Sequence, residues 1–415
     1  MKKHFAELQK RMSGPLLVLF GQASQSIATF STSLIIGRWT GVSELGYYAI
    51  AYSFCFLTVC LCDALLATPY TYFHANIPAH RKSMLRAAIL GSAGLALFLS
   101  MSSYTIFFAG TTSLANIVNA LPPALLALAL RDVLRRHLYI ANKLSITFIG
   151  DISSSALQIG LVLILALTDQ LTAATALLAL AAATCASVVI FFTHAEVSRA
   201  SPGPDRLTEW FGKYLTYGRW LALGTACHVA SVQLYPWLAM TSGGPASAGS
   251  FAAGMALANL MNPLLIGLTN YFRPRFMEHY LNLTPEEFLR YTAKAAAYFI
   301  TPTTAFVLLI LLQSETLLAF TYGDEYRSAG TALIFLALGG LFIALAAPLQ
   351  LALLAAHAPI TNLLYHSSIL LFIAFGSFLT WHFLTPLELS RIYFGANLAG
   401  FVILYLCFWM RIKTR

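Results

Sequence analysis

The chain has 415 residues, 58% of them apolar and 10% charged, which is about 241 apolar residues. At about 20 apolar residues per membrane crossing, these fill about twelve crossings and leave no connection long enough to hold a large soluble domain. The formal charge of +9 is scattered between apolar segments, so it does not form the exposed basic face that nucleic acid requires.

The predicted elements are those of an all-α integral membrane protein with about twelve transmembrane helices in two six-helix lobes. In chain order the apolar stretches fall at 14–36, 45–67, 87–109, 114–131, 145–167, 171–193, 217–240, 249–270, 295–313, 330–355, 362–384 and 391–410. Lys2, Lys3, Lys10 and Arg11 precede the first stretch as they would in a signal peptide. The stretch from Gly14 to Ile36 is too long for one and lacks a clear small-residue cleavage site, so it is expected to be retained as the first span. An even number of spans puts both termini on one side. With the N-terminus inside, 22 of the 25 Lys and Arg residues are inner, and only Arg38, Arg327 and Arg391 are outer. That asymmetry obeys the positive-inside rule and predicts cytoplasmic termini.

The longest polar stretch contains Ser201-Pro202-Gly203-Pro204-Asp205, a turn-rich run that cannot continue a helix. The expected organisation is an N-terminal lobe over 1–200, a cytoplasmic linker over 201–216 and a C-terminal lobe over 217–415. The halves are weakly alike: Gly46-Tyr47-Tyr48-Ala49 corresponds to Gly249-Ser250-Phe251-Ala252, with Pro69 and Pro274 following at offsets of 23 and 25. Equal span number and equal orientation suggest parallel repeats about an axis along the membrane normal, an arrangement found in transporters.

Polar side chains inside a span are costly unless paired or wet. Gln22, Gln25, Thr29 and Ser33 form a stripe on span 1, and Asp151, Ser154, Ser155 and Gln158 form one on span 5. Span 7 carries Thr225, His228, Ser231 and Tyr235, while Asn259, Asn262 and Asn270 fall within about 80 degrees on span 8. Two readings stay open. The stripes either bind neighbouring helices together, or they line a shared water-filled cavity, with Gln22, Gln25 and Thr29 opposed to Asn259 and Asn262.

Asp63 and Asp151 lie toward the cytoplasmic third. They are either ion-paired with an inner base, Arg131, Arg135 or Arg219, or they carry a coupling proton or cation. His228, His366 and His382 each suit a hydrogen-bonded structural position. The six cysteines all lie in apolar runs, where a thiol behaves as a small hydrophobe. No His, Cys or carboxylate cluster has metal-ligand spacing, and no phosphate-binding loop of the G-x-x-x-x-G-K-[ST] type occurs. No catalytic residue, metal or cofactor is therefore expected, and the chain is not read as an enzyme.

The segment Ile36-Gly37-Arg38-Trp39-Thr40-Gly41-Val42-Ser43-Glu44-Leu45-Gly46-Tyr47-Tyr48-Ala49-Ile50-Ala51 resembles the first outer loop of bacterial polysaccharide flippases, the O-antigen and exopolysaccharide exporters. That family lies within the multidrug/oligosaccharidyl-lipid/polysaccharide exporter superfamily. Tyr322-Gly323-Asp324-Glu325-Tyr326-Arg327-Ser328-Ala329-Gly330 looks like the outer loop before the tenth span of the same family. Both are loop signatures, which identify a fold better than a cargo. Taken alone, Tyr322 and Tyr326 suit interfacial anchors.

The resemblance implies a monomeric flippase of the bacterial inner membrane, in which spans 1, 2, 7 and 8 flank a cavity between the lobes. Its cargo would be a lipid-linked oligosaccharide, on undecaprenyl pyrophosphate, moved from the inner to the outer leaflet by alternating access, with the lipid bilayer and a glycan polymerase as partners. Arg219, at the cytoplasmic start of span 7, and Arg38, at the outer end of span 1, would then be cationic handles for the pyrophosphate, because a guanidinium fork matches phosphate oxygens. The plainer alternatives are an orientation signal at Arg219 and lipid-headgroup contact at Arg38. With Gln22, Gln25, Thr29, His228, Asn259 and Asn262, they form the candidate substrate-binding set, and Asp63 and Asp151 are the coupling-ion candidates. Two other functions are weighed: a cation-coupled multidrug antiporter of the same superfamily, which wants a carboxylate deep in a lobe, and a membrane-embedded glycan polymerase or ligase, which wants a larger outer loop.

Overall fold

A computed structural model describes residues 2–77, 80–107, 112–195, 205–358, 360–381 and 384–413. Among these residues every regular element is helical. The helices are α1 (Lys2–Thr40), α2 (Val42–Cys62), α3 (Thr68–Asn76), α4 (Arg81–Phe107), α5 (Thr112–Ile140), α6 (Leu144–Leu167) and α7 (Ala173–His194), then α8 (Asp205–Ala258), α9 (Asn262–Asn282), α10 (Pro285–Tyr322), α11 (Gly330–Ala355), α12 (Ile360–Leu379) and α13 (Pro386–Lys413).

The all-α class is as expected, whereas the count of twelve spans is not reproduced one for one. Ten segments of the described residues are long and apolar enough to cross a membrane, and one of them, Leu207–Asn282, contains both the seventh and eighth expected spans. Helix α1 is not among the ten, because Gln22, Gln25 and its Ser and Thr residues lower its mean hydropathy.

Local chemistry sets several of the helix ends. Thr172 and Thr175 form a reciprocal capping box before α7, and Thr284 and Glu287 form another before α10, where Pro285 occupies the first turn. Between α2 and α3 the chain forms a π-helical turn, Asp63–Ala67, in which the Thr68 amide donates to the Asp63 carbonyl. Pro69 has no amide hydrogen to continue the α-helical ladder, and the widened turn accommodates that loss.

The chain divides into two compact units, Met1–Thr40 with Ile50–Ala226, and Gly41–Ala49 with Cys227–Arg415. In unit 1, α1 packs on α6, α6 on α7, α7 on α5 and α5 on α4. One apolar core there gathers Leu66, Tyr70, Met84, Val133, Trp210 and Tyr214. Residues 205–216, expected as linker, are instead helical, and they bury Trp210 and Tyr214 at 2% and 0% exposure. The Tyr214 hydroxyl donates to the Met84 carbonyl at 2.9 Å, and Lys213 pairs with Glu209 on the open face. An aromatic pair and an ion pair, each at i,i+4 spacing, give this stretch an amphipathic helical character. The Ser-Pro-Gly-Pro run that suggested a break lies, up to Pro204, outside the described residues.

In unit 2, α11 packs on α10, α13 and α9, and α12 packs on α13. Its core includes Tyr235, Phe251, Phe276, Phe299, Tyr365 and Tyr393. Helix α8 turns at Gly244, whose φ of 72° is open to glycine. Just beyond the turn, α8 meets the first turns of α2 backbone to backbone. A Cβ on Gly46 would lie 1.9 Å from the Pro245 carbonyl oxygen, and one on Gly249 would lie 1.8 Å from that of Val42. Small residues permit such close helix approach, and the contact brings Gly41–Ala49 into unit 2.

Tyr322 and Tyr326, which suited interfacial anchors, are buried at 1% and 0% exposure with rings 5.3 Å apart. Gly323, at φ 118°, ends α10, and the following 3-10 turn Asp324–Ala329 folds the second tyrosine inward. The two loop motifs converge here, since a Cβ on Gly41 would lie 3.6 Å from a carboxylate oxygen of Glu325.

Replacing Gly46 or Gly249 with Ala forces the α2–α8 backbones apart. Each change is expected to cost about 1–3 kcal/mol and to lower the thermal unfolding midpoint of the purified protein by several degrees. Gly94→Ala, where a Cβ would meet nothing within 4 Å, is the control expected to leave it unchanged or slightly raised.

Candidate functional site

In unit 1 the polar stripe of α1 meets the polar stripe of α6. Ser155 donates to Ser24 at 3.3 Å, Gln158 donates to Thr32 at 3.0 Å, and Gln25 donates to Asp151 at 3.3 Å. Thr29 is hydrogen-bonded to Tyr52. Asp151 is buried, with a side chain 2% exposed, and α5 supplies its counter-charges: Arg131 at 3.1 Å and Arg135 at 3.0 Å. Arg135 also donates to Gln22 at 3.3 Å and to the Tyr139 hydroxyl at 2.9 Å. Gln22 and Gln25 thus share one hydrogen-bonded cluster with Asp151, and its bonds lie within unit 1.

Asp63 opens the π-turn and pairs with Arg136, while its other oxygen accepts from Thr68 at 3.2 Å. The bases expected for Asp63 were Arg131, Arg135 or Arg219. Arg136 takes that position because α5 continues past 131, the predicted end of its span, to Ile140. This helical extension explains both pairings. Arg131 and Arg135 are four residues apart and share the face toward Asp151; Asp132 and Arg136 are likewise four apart, on the face toward Asp63.

Asp132 is the functional candidate that sequence reasoning missed. Its Oδ2 is buried without a hydrogen-bond partner, as is Nε of Arg131, and the charges that act on it are those of Asp63, Arg136, Arg135 and Arg131. The available signal was the Arg131-Asp132-x-x-Arg135-Arg136 spacing, which is lost when the span is ended at its first arginine.

Arg38 is exposed in the last turn of α1, where a cation complements the helix dipole. Arg219 is exposed on α8, its guanidinium 5.6 Å from the Trp220 ring centroid. The preceding residue, Gly218, lies against the π-turn, since a Cβ there would be 2.8 Å from the Ala64 carbonyl oxygen.

In unit 2, His228 on α8 faces His366 on α12, with Nδ1 and Nε2 3.2 Å apart. His382 lies outside the described residues. Asn259 and Asn262 both line one small pocket, together with Thr303, Leu336, Ile343 and Tyr393. The expected common face of Asn259, Asn262 and Asn270 is interrupted by a 3-10 turn over Asn259–Met261, whose tighter winding shifts the register of the helix beyond it. Among the described residues, no three His, Cys, Asp or Glu side chains converge as metal ligands.

No protein-family model matches the sequence, and no curated protein matches it. Solved structures match in fold. An inward-facing multidrug resistance MATE family transporter of the MOP superfamily is 15% identical, with a TM-score of 0.76, over 94% of this chain and 95% of that one. The Lipid II flippase MurJ in an inward closed conformation is 13% identical, with a TM-score of 0.73, over 94% of this chain and 87% of that one. A MOP superfamily transporter from Pyrococcus furiosus is 14% identical, with a TM-score of 0.66, over 96% and 94% of the two chains. The chain is a multi-pass membrane protein with the helical fold of MOP superfamily transporters.

Removing the charge at Asp151 leaves two arginines buried without their counter-ion, so Asp151→Asn is expected to cost about 3–5 kcal/mol. At the Asp63–Arg136 pair the side chains are 36% and 38% exposed, and Asp63→Asn is expected to cost about 1 kcal/mol or less after screening. Thermal unfolding of the two purified variants measures the contrast. Equal losses would show that Asp151 does not organise unit 1.

Proposed function

We propose that this protein is a flippase that moves a lipid-linked oligosaccharide from the inner to the outer leaflet of the bacterial inner membrane by alternating access. The observation that carries the reading is the likeness of fold, over nearly the whole chain, to both a multidrug transporter and the Lipid II flippase. The two loop segments resembling polysaccharide flippases favour a lipid-linked glycan among the cargoes such a fold can carry. A charged, hydroxyl-rich head cannot enter hydrocarbon without losing its hydration, and it needs a polar route while its lipid tail stays in the bilayer.

The chemistry of the helices suits such a head. Around Asp151 two guanidiniums meet one carboxylate, which leaves a positive surplus beside the uncharged Gln22, Gln25 and Thr29. We assign Arg219 and Arg38 as handles for the pyrophosphate at loading and release. Gln22, Gln25, Thr29, His228, Asn259 and Asn262 are the partners of the glycan hydroxyls. The protein works as a monomer without a cofactor, alongside a glycan polymerase, and catalyses no covalent step.

A second reading, a cation-coupled antiporter, is favoured by Asp132. A buried carboxylate oxygen without a partner, within the influence of Asp63 and Arg136, suits a site that takes up a proton or cation.

Deleting the gene is expected to make lipid-linked oligosaccharide accumulate on the inner leaflet, and the wild-type chain is expected to relieve it. A drug-sensitive strain with normal lipid-linked sugar would favour the antiporter. In the complemented strain, Arg219→Ala with Arg38→Ala is expected to lower export about tenfold or more, the loss of hydrogen bonds to a charged group. Arg219→Lys should not restore it, because a point charge lacks the planar fork. Full export by the double variant would refute the handles.

Both termini are placed in the cytoplasm by the basic-residue asymmetry. In a background without native cysteines, an impermeant thiol reagent applied from outside is expected to label Gln170→Cys and not Asn282→Cys. The reverse pattern would overturn the orientation.

A further inference from the structure

Within the helices, Asp151, Asp63 and Glu388 each meet an arginine. His228 and His366 in unit 2 meet each other. Their facing nitrogens, Nδ1 of His228 and Nε2 of His366, are 3.2 Å apart, and the rings are edge to face with centroids 4.5 Å apart. Ser231, one turn after His228, donates its hydroxyl proton to the His228 carbonyl at 2.7 Å and lies 3.1 Å from His366 Nδ1.

A serine hydroxyl has one proton to give, and here the carbonyl takes it. His366 Nδ1 must therefore be the donor toward Ser231 Oγ, which leaves the lone pair of neutral His366 on Nε2. His228 Nδ1–H then donates to that lone pair. The remaining acceptor of the group is Nε2 of His228, on an imidazole that is exposed, whereas His366 is half-buried.

The order of bonds limits the group to one added proton. A proton taken at His228 Nε2 makes that ring an imidazolium, and its existing Nδ1–H bond to His366 becomes charge-assisted and stronger. A second proton would have to enter at His366 Nε2, between two rings that are then both donors and both cationic. Formal charge is sparse on the described helices of this region. Helix α8 from Trp220 to Ala258, all of α11 and all of α12 contain no Asp, Glu, Lys or Arg. Helix α13 keeps its charges, Glu388, Arg391, Arg411 and Lys413, near its ends. The other titratable side chains on these helices include the Tyr365 ring, 4.9 Å from that of His366, Tyr235 and Tyr393 in the same core, and the thiols of Cys227 and Cys407 on α8 and α13.

We propose that His228, His366 and Ser231 form a single-proton binding site in unit 2, whose occupation converts a neutral contact between α8 and α12 into a charge-assisted one. An ionisable pair inside membrane helices is otherwise an expensive way to join them. The proposal rests on the geometry of unit 2 and is independent of the cargo assigned above.

The test uses the full chain, labelled with ¹⁵N-histidine, in lipid nanodiscs. Imidazole resonances are followed from about pH 8.5 to about pH 4.5 and assigned with His228→Gln and His366→Gln. The expected result is uptake of one proton by the pair, with both rings shifting together and any second step displaced by more than about one pH unit. In His228→Gln that uptake is lost while His366 stays neutral. Ser231→Ala, a milder change, releases His366 Nδ1 and is expected to weaken the coupling between the two rings. Two rings titrating independently at one midpoint, or a pair that stays neutral across the range, would overturn the proposal. Because the readout is proton binding, a failed transport assay leaves this result interpretable.

Discussion

A carboxylate held among apolar helices needs positive charge from its own surroundings, and Asp151 is where unit 1 meets that requirement. Its oxygens accept from α5 and from α1, so one buried side chain fixes three helices against each other. The mutual attraction offsets the desolvation of the charges because the geometry is close and the spare donors, Arg131 Nε excepted, are used. Arg135 shows this, with one guanidinium bonded to Asp151, Gln22 and Tyr139. Helix α5 serves two carboxylates from adjacent faces, Asp151 through Arg131 and Arg135 and Asp63 through Arg136.

Unit 2 meets the same constraint without formal charge. Among the described residues its buried polar side chains are the hydroxyls of Ser, Thr and Tyr and the amide of Asn397, and its close contacts are made by small residues where α2, α8, α11 and α13 approach. The two units therefore differ in chemistry: buried ion pairs in one, and neutral donors and acceptors with a histidine pair in the other. This difference bears on function more than the fold does, because a shared fold hosts many functions and the site chemistry selects among them.

A fold kept at 13–15% identity is physically reasonable for this class. In lipid the backbone must satisfy its own hydrogen bonds, so helices persist under almost any apolar sequence, and packing asks mainly for small residues at close crossings. Sequence comparison loses such a pattern quickly, since Leu, Ile, Val and Phe exchange freely on lipid-facing surfaces. The short loops are less exchangeable. Gly41 and Glu325, one in each of the two outer-loop segments, lie together in unit 2, which ties the two segments to one place in the fold.

The sequence by itself determined the helical class, the membrane setting and the stripes of polar residues on α1, α6 and α8, because each follows from composition or from a period of 3.6 residues along one helix. It also showed that Asp63 and Asp151 need partners. Tertiary structure decided which partners they have. Arg136 rather than its neighbours reaches Asp63 because α5 runs nine residues beyond Arg131, and the buried Oδ2 of Asp132 emerges only once that extension is seen. The same holds for Trp210 and Tyr214, which read as part of a linker until α3 and α4 are placed against them, and for Tyr322 and Tyr326, which turn inward at Gly323. His228 and His366 are 138 residues apart, and no periodicity connects them. Periodicity reports which face of one helix is polar; which helix lies against that face depends on the packing of the whole unit.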